Sequence, residues 1–243
     1  MMDVNEATLK EIVTRDFRAA AVFERFSLDF CCTGGMTIDE ACEAKGVKKE
    51  LVIAEVHALS PHQGAGEQAV QTMTLNALIN HIVSTHHAYV RTMIPVLATH
   101  TQKIATVHGG NHPEVIDIAA GFARVAEELQ HHMMKEERML FPYLVALAEA
   151  AQSNSPIHRP PFGSARNPIR MMEAEHQAAG DELYEIRRLS SEYAHPPDAC
   201  TTFKVTYREL QEFERDLHRH VHLENNILFP KAIALEDRFF SAA

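Results

Sequence analysis

The chain has 243 residues, 46% of them hydrophobic, and a formal net charge of -10. That length supports one sizeable domain, or a medium domain with a small one. The acidic balance argues against a nucleic-acid binder held by phosphate contacts. No run approaches the roughly 18 apolar residues of a spanning helix, and four cysteines in a chain this long do not make a disulfide scaffold.

The first residues, MMDVNEATLKEIV, lack the charged-then-apolar order of a signal peptide. A cytoplasmic location is therefore expected, with neither nucleic acid nor membrane as a partner. Residues 1–60 read as a small helical domain. Val13, Phe17, Ala20 and Ala21 recur at helical spacing, and Phe23 and Phe26 extend the apolar surface. The run stops at LDFCCTGG, where Gly34 and Gly35 mark a turn. Thr37 can cap a short helix, with Glu40 three places on, and a further helix is expected over 48–59. So small a unit buries little core alone. It is expected to lean on the larger domain or on a partner chain, which leaves room for a homodimer.

Residues 60–70 read as a linker or bend. A second domain, 71–240, carries four long helical patterns, expected over 71–98, 113–150, 168–193 and 201–238. Val83, His87, Val90 and Ile94 share a face of the first, and Leu129, His132, Glu136, Met139 and Tyr143 of the second. Met172, His176, Ala179, Leu183 and Ile186 line the third, and Leu217, His220, Glu224 and Ile227 the fourth. The breaks are HGGNHP, SPIHRPPFGSARNP and AHPPDAC, and no β-alternating run competes. The expected fold class is all-α, a four-helix bundle preceded by a small helical domain. Pro142 and Pro230, each in a Leu-Phe-Pro, are expected to kink or end their helices.

The chemistry lies in two echoing stretches, HMMKEERMLFP (132–142) and HVHLENNILFP (220–230). Each holds His-x-x-x-Glu, which puts both side chains on one side of a helix. A single copy is most often an ordinary surface pair. Two copies at identical offsets, with a core-facing His87 and His176 on the other two helices, make a stronger pattern. Four histidines and two glutamates then face one another. The arithmetic fits two metals, two histidines each, with Glu136 and Glu224 bridging. Mixed imidazole and carboxylate ligation suits non-haem iron, although affinity order alone leaves zinc or copper open.

Other residues carry two readings each. Adjacent helix positions do not share a face, so His87 and His132 are expected inward, with His86 and His131 turned away. His222 is expected to point away from His220. His108, in the loop VHGGNHP, is either solvated or close to the open end of the site. Cys31 and Cys32 are either exposed thiols able to re-reduce a metal centre or pass iron, or packing residues. Cys42 and Cys200 look isolated.

The stretches LINHIVSTHH (78–87), HMMKEERMLFP, MEAEHQAAG (172–180), PPDACTTFK (196–204) and HVHLENNILFP resemble the repair-of-iron-centres family of di-iron proteins. DFCCTGG (29–35) resembles that family's small cysteine-bearing domain, with Thr33 inserted into the usual Cys-Cys-Gly-Gly. The resemblance implies a hemerythrin-like bundle holding two iron ions. Its histidine ligands fall on His87, His132, His176 and His220, its bridging carboxylates on Glu136 and Glu224, and a further histidine on His108. It also implies a stress-response role in recovery of damaged iron-sulfur clusters, by iron donation or by nitric oxide reduction. Iron-sulfur proteins would be the clients, nitric oxide or dioxygen the small ligands, and the electron donor is unassigned. The rival readings are a hemerythrin-like oxygen or metal carrier without turnover, and a structural zinc bundle.

Overall fold

The computed structural model describes residues 4–16, 18–30, 34–59 and 70–240, and among these it is helical, with no strand beyond an isolated bridge between Thr8 and Thr37. Phe17, Cys31, Cys32 and most of the expected linker lie outside the described residues.

Four short helices form the N-terminal unit: α1 (Leu9–Arg15), α2 (Arg18–Arg25), α3 (Ile38–Lys45) and α4 (Lys49–His57). Two capping boxes start α1 and α3. Thr8 accepts from the Glu11 amide and Thr37 from the Glu40 amide, and each glutamate reaches back to its cap. Ala21 is exposed, because the chain breaks between α1 and α2 and starts a new helical phase. Gly34 is required by close approach: a Cβ there would lie 2.1 Å from the Phe30 carbonyl oxygen.

Four rods form the bundle. The first runs over 75–108, the second over 114–153, the third over Arg166–Leu189 and the fourth over 201–240. Each packs on its sequence neighbours and the fourth closes on the first. The first rod runs ten residues past the expected end, so His108 is its last helical residue and not part of a loop. Buried Ile94, Leu97, Thr101 and Ile104 continue the apolar face at helical spacing, and the Thr99, Thr101 and Thr106 hydroxyls donate back to carbonyls four residues earlier. The third rod stops short, at Leu189. There Ser191, Glu192 and Tyr193 take three successive left-handed conformations (φ 50°, 59° and 60°).

Three rods contain a π-helical turn: Ile82–His87, Glu136–Leu140 and Glu224–Leu228. These turns explain two departures from expectation. Pro142 and Pro230 do not end their rods. Each is the second residue of the α-helix that resumes after a π turn, in a first turn that tolerates a missing N–H. The wider turn also shifts the facing register, so Leu140 is buried and Met139 is 51% exposed.

The bundle interior divides into two apolar clusters. One contains Val90, Leu129, Ala179 and Leu217, the other Ile82, Leu140, Met172 and Ile227. Between them, on all four rods, lies a layer of buried histidines and glutamates. The N-terminal unit packs on the third and fourth rods. Phe30 meets the rings of His218 and His222 edge-on, α1 lies against the Glu224–Leu228 turn, and Lys45 sits 4.5 Å over the Tyr184 ring.

Candidate metal centre

The polar layer brings together His87 from the first rod, His132 and Glu136 from the second, His176 from the third, and His220 and Glu224 from the fourth. All six are at most 2% exposed. They fall into two overlapping groups: His87, Glu136, His220 and Glu224, and His132, Glu136, His176 and Glu224. Within each group the ligand atoms lie within 4.8 Å of one another. Both glutamates belong to both groups.

The four imidazoles present Nε2 to the centre. The Nε2 atoms of His132 and His176 are 2.9 Å apart, and those of His87 and His220 3.1 Å apart. Two nitrogens bound at right angles to one ion, each at about 2.1 Å, would be separated by about 3 Å. Glu136 Oε2 lies 3.4 Å from both His87 Nε2 and His132 Nε2, so it reaches both groups with one oxygen. Glu224 reaches them with two: Oε1 is 3.0 Å from His220 Nε2, and Oε2 is 3.0 Å from His176 Nε2. Both oxygens of Glu136 and Oε2 of Glu224 accept no hydrogen bond. Buried carboxylate oxygens left this way are costly unless a cation lies among them. The donor set therefore fits two metal ions and matches a di-iron centre.

The charge balance agrees. Burial opposes the charged form of His87, but Glu136 and Glu224 outweigh it and raise its pKa to about 10. His132 also rises to about 10, against burial, through the neighbouring charge of Glu136 and the hydrogen bond to Glu175. Burial pushes Glu136 and Glu224 up, yet the surrounding histidines win and hold both below the ordinary carboxylate value. His220 is lowered by burial, which Glu224 only partly offsets. Metal ions would replace the protons these histidines otherwise carry.

Three outer partners escaped the sequence reading. Glu137 Oε1 takes His87 Nδ1 at 2.6 Å, Glu175 Oε2 takes His132 Nδ1 at 2.9 Å, and Asn225 Oδ1 takes His176 Nδ1 at 2.8 Å. Each fixes a ring so that Nε2 faces inward. Arg91 and Lys135 in turn hold Glu137 and Glu175. Glu137, Glu175 and Asn225 are each the chain neighbour of an inward residue, on a rod beside the histidine they hold. A polar side chain flanking a ligand was the available signal. Phe141 and Phe229 stack on His87 and His176 and close the apolar side.

Several histidines differ from expectation. His131 is exposed, but His86 is buried together with His87, because both lie in the Ile82–His87 π turn. The His86 ring stacks on His220, and its Nδ1 is 3.0 Å from Asp216 Oδ1. His222 is turned from the centre yet buried, under Phe30. His108 is not brought to the centre. It lies 21 residues beyond His87 on one helical rod, about 32 Å at 1.5 Å per residue. There its Nε2 is 3.2 Å from Cys200 Sγ, so Cys200 is not isolated. Cys42 is buried inside the N-terminal unit.

The hemerythrin HHE cation binding domain matches residues 78–232, and the N-terminal domain of ScdA, a domain of unknown function, matches residues 5–60. The chain is 33% identical over 230 residues to the iron-sulfur cluster repair protein ScdA of Staphylococcus haemolyticus, covering 95% of this chain and 99% of that one. It is 34% identical over 232 residues to the iron-sulfur cluster repair protein YtfE of Yersinia pseudotuberculosis and of Yersinia pestis, covering 96% of this chain and 99% of each relative. The chain belongs to the ScdA/YtfE family of hemerythrin-domain proteins. In this member of the ScdA/YtfE family, all six inward side chains lie within the hemerythrin match, and the unit bearing Phe30 lies within the ScdA match. No helix among the described residues is long and apolar enough to cross a membrane.

Proposed function

We propose that this chain is a cytoplasmic di-iron protein that repairs iron-sulfur clusters damaged by nitrosative or oxidative stress. The observation that carries the reading is the pair of buried four-residue groups sharing Glu136 and Glu224, with three carboxylate oxygens that no protein donor satisfies. The names of the 33–34% identical relatives supply the process.

Bound iron would supply one-electron redox chemistry and coordination positions for a small ligand such as nitric oxide or dioxygen. The chain's own residues do the rest. His87 and His220 would hold one ion, His132 and His176 the other, and the two glutamates both. Glu137, Glu175 and Asn225 orient three of the imidazoles. Phe141, Phe229 and the apolar cluster around Leu140 and Ile227 exclude water from one side. Carboxylate bridging suits iron release as well, since protonation of either glutamate weakens both positions. Cys31 and Cys32 fit a role in re-reduction or iron transfer, with iron-sulfur proteins as clients.

Anaerobic, iron-loaded protein mixed with an oxidatively damaged iron-sulfur enzyme tests the repair reading. Recovery of client activity that depends on Glu136 and Glu224 is expected; no recovery beyond that given by free ferrous iron contradicts it. Nitric oxide added to the reduced protein separates the two routes. Nitrous oxide release marks reduction, and its absence alongside client recovery marks donation. A reversible oxygenated spectrum with neither outcome would favour the carrier.

A further inference from the structure

The two metal positions are built from the same parts, except at one ring. His87, His132 and His176 each give Nδ1 to an oxygen acceptor. His220 does not: its Nδ1 is buried and has no hydrogen-bond partner. The residue that would complete the pattern is known by its place. Glu137, Glu175 and Asn225 each adjoin an inward residue on a rod beside the ring they hold. His86 adjoins His87 and reaches His220 in the same way, but it presents a ring face. The two rings stack at 5.8 Å with 7° between their planes, and His86 Nδ1 is already engaged with Asp216.

An imidazole that binds metal through Nε2 carries its proton on Nδ1. In His220 that N–H would be buried with no acceptor, an unfavourable state. It would also lack the acceptor that fixes the ring and raises ligand basicity. The His87–Glu137 and His132–Glu175 contacts are matched, each to a carboxylate that is held by a cation from the histidine's own rod. The difference between the positions therefore reduces to His176 with Asn225 against His220 with none.

We infer that the two ions are held unequally, and that the ion between His87 and His220 is the one released first. This rests on the two-metal reading of the site and assigns the exchanging half of it. The bridging glutamates serve both ions, so losing the first leaves the second on His132, His176 and two carboxylates. A stepwise release follows from the fold, with His86 as the positioning residue that substitutes stacking for a hydrogen bond.

The test is release of iron from anaerobic, ferrous-loaded full-length protein to an excess of a colorimetric ferrous chelator. Two phases of one iron each are expected, separated by about 10–100-fold, the usual effect of one outer partner on metal affinity. Asn225→Ala removes the partner that distinguishes the slow position, so the slow phase should accelerate toward the fast one while the fast phase stays. Glu137→Gln should accelerate only the fast phase, and provides the same discrimination should Asn225→Ala fold poorly. Release of both irons in a single phase would overturn the inference while leaving the two-metal reading intact. So would a Glu137→Gln effect confined to the slow phase. Fewer than two irons bound at the start would overturn both readings, and the starting stoichiometry tells the two cases apart.

Discussion

Glu136 and Glu224 are equivalent residues on opposite rods. Each opens a five-residue π-helical turn, each lies four places after an inward histidine, and each belongs to both ligand groups. The widened turn explains how a glutamate can follow its histidine toward the centre while the Leu-Phe-Pro beyond it still packs. Leu140, Phe141, Leu228 and Phe229 are all buried in one apolar cluster under the site. The repeated motif is therefore a packing device and a ligand frame at once.

The histidines belong to single positions, unlike the glutamates. His132→Gln is expected to lower the iron content toward one per chain and leave far-UV circular dichroism unchanged. Elemental analysis of the purified variant reads this directly. Retention of two irons would remove His132 from the ligand set.

The outer carboxylates act through ring orientation. Glu175→Gln keeps an acceptor near His132 Nδ1 but removes the charge and weakens the Lys135 contact. Metal affinity at that position is expected to fall by about 10–100-fold. Competition against a chelator of known affinity measures it; an unchanged affinity would make Glu175 a surface residue that touches His132 incidentally.

Away from the metals, Glu214 ties the end of the third rod to the fourth. It accepts from Arg187 at 3.0 Å and from the Tyr193 hydroxyl at 2.9 Å, with all three residues buried. The left-handed turn at 191–193 ends with Tyr193 against Glu214. Glu214→Ala leaves the buried guanidinium with only the exposed Glu192 carboxylate, 3.9 Å away, and is expected to cost about 3–5 kcal/mol. Tyr193→Phe removes one hydrogen bond to a charged group and should cost about 1.5–3 kcal/mol. Urea unfolding of the two variants checks both values and their order.

Glu236 closes the other end of the bundle. It accepts from the Tyr143 hydroxyl at 2.7 Å, from Ser164 Oγ and from the Ala165 amide at 2.9 Å. Burial raises its pKa, but these donors outweigh it and hold the carboxyl below the ordinary 4.5. A depressed folded value means the stabilisation is full above 4.5 and is lost as pH falls through the lower folded value. Thermal melts of wild type and Glu236→Gln should therefore differ at neutral pH and converge in acid below 4.5. A constant gap across that range would contradict the assignment.

Much of this was legible in the sequence because buried ligands obey helical periodicity. Each of the six inward side chains falls on an apolar face already marked by residues such as Val90, Leu129, Ala179 and Leu217. What escaped notice followed from the π turns, which carry no periodic signal. Met139 fits an α-helical face and is exposed, and His86 fits the opposite face and is buried. His222 escaped for another reason: Phe30, from a separate unit, covers it. Glu137, Glu175 and Asn225 carry no mark in the helical periodicity, because a hydrogen bond between rods leaves no trace in either rod's own spacing. His108 was expected in the loop VHGGNHP, but the helix continues through it, with threonine hydroxyls bonded back to its carbonyls.

The shared glutamates are the centre of the account, and iron stoichiometry tests them most directly. Anaerobically loaded wild-type protein should hold two irons per chain. Glu136→Leu and Glu224→Leu, which each remove a ligand from both positions, should each lower the occupancy of both. Two tightly held irons in both variants would contradict the bridging role and the di-iron reading built on it.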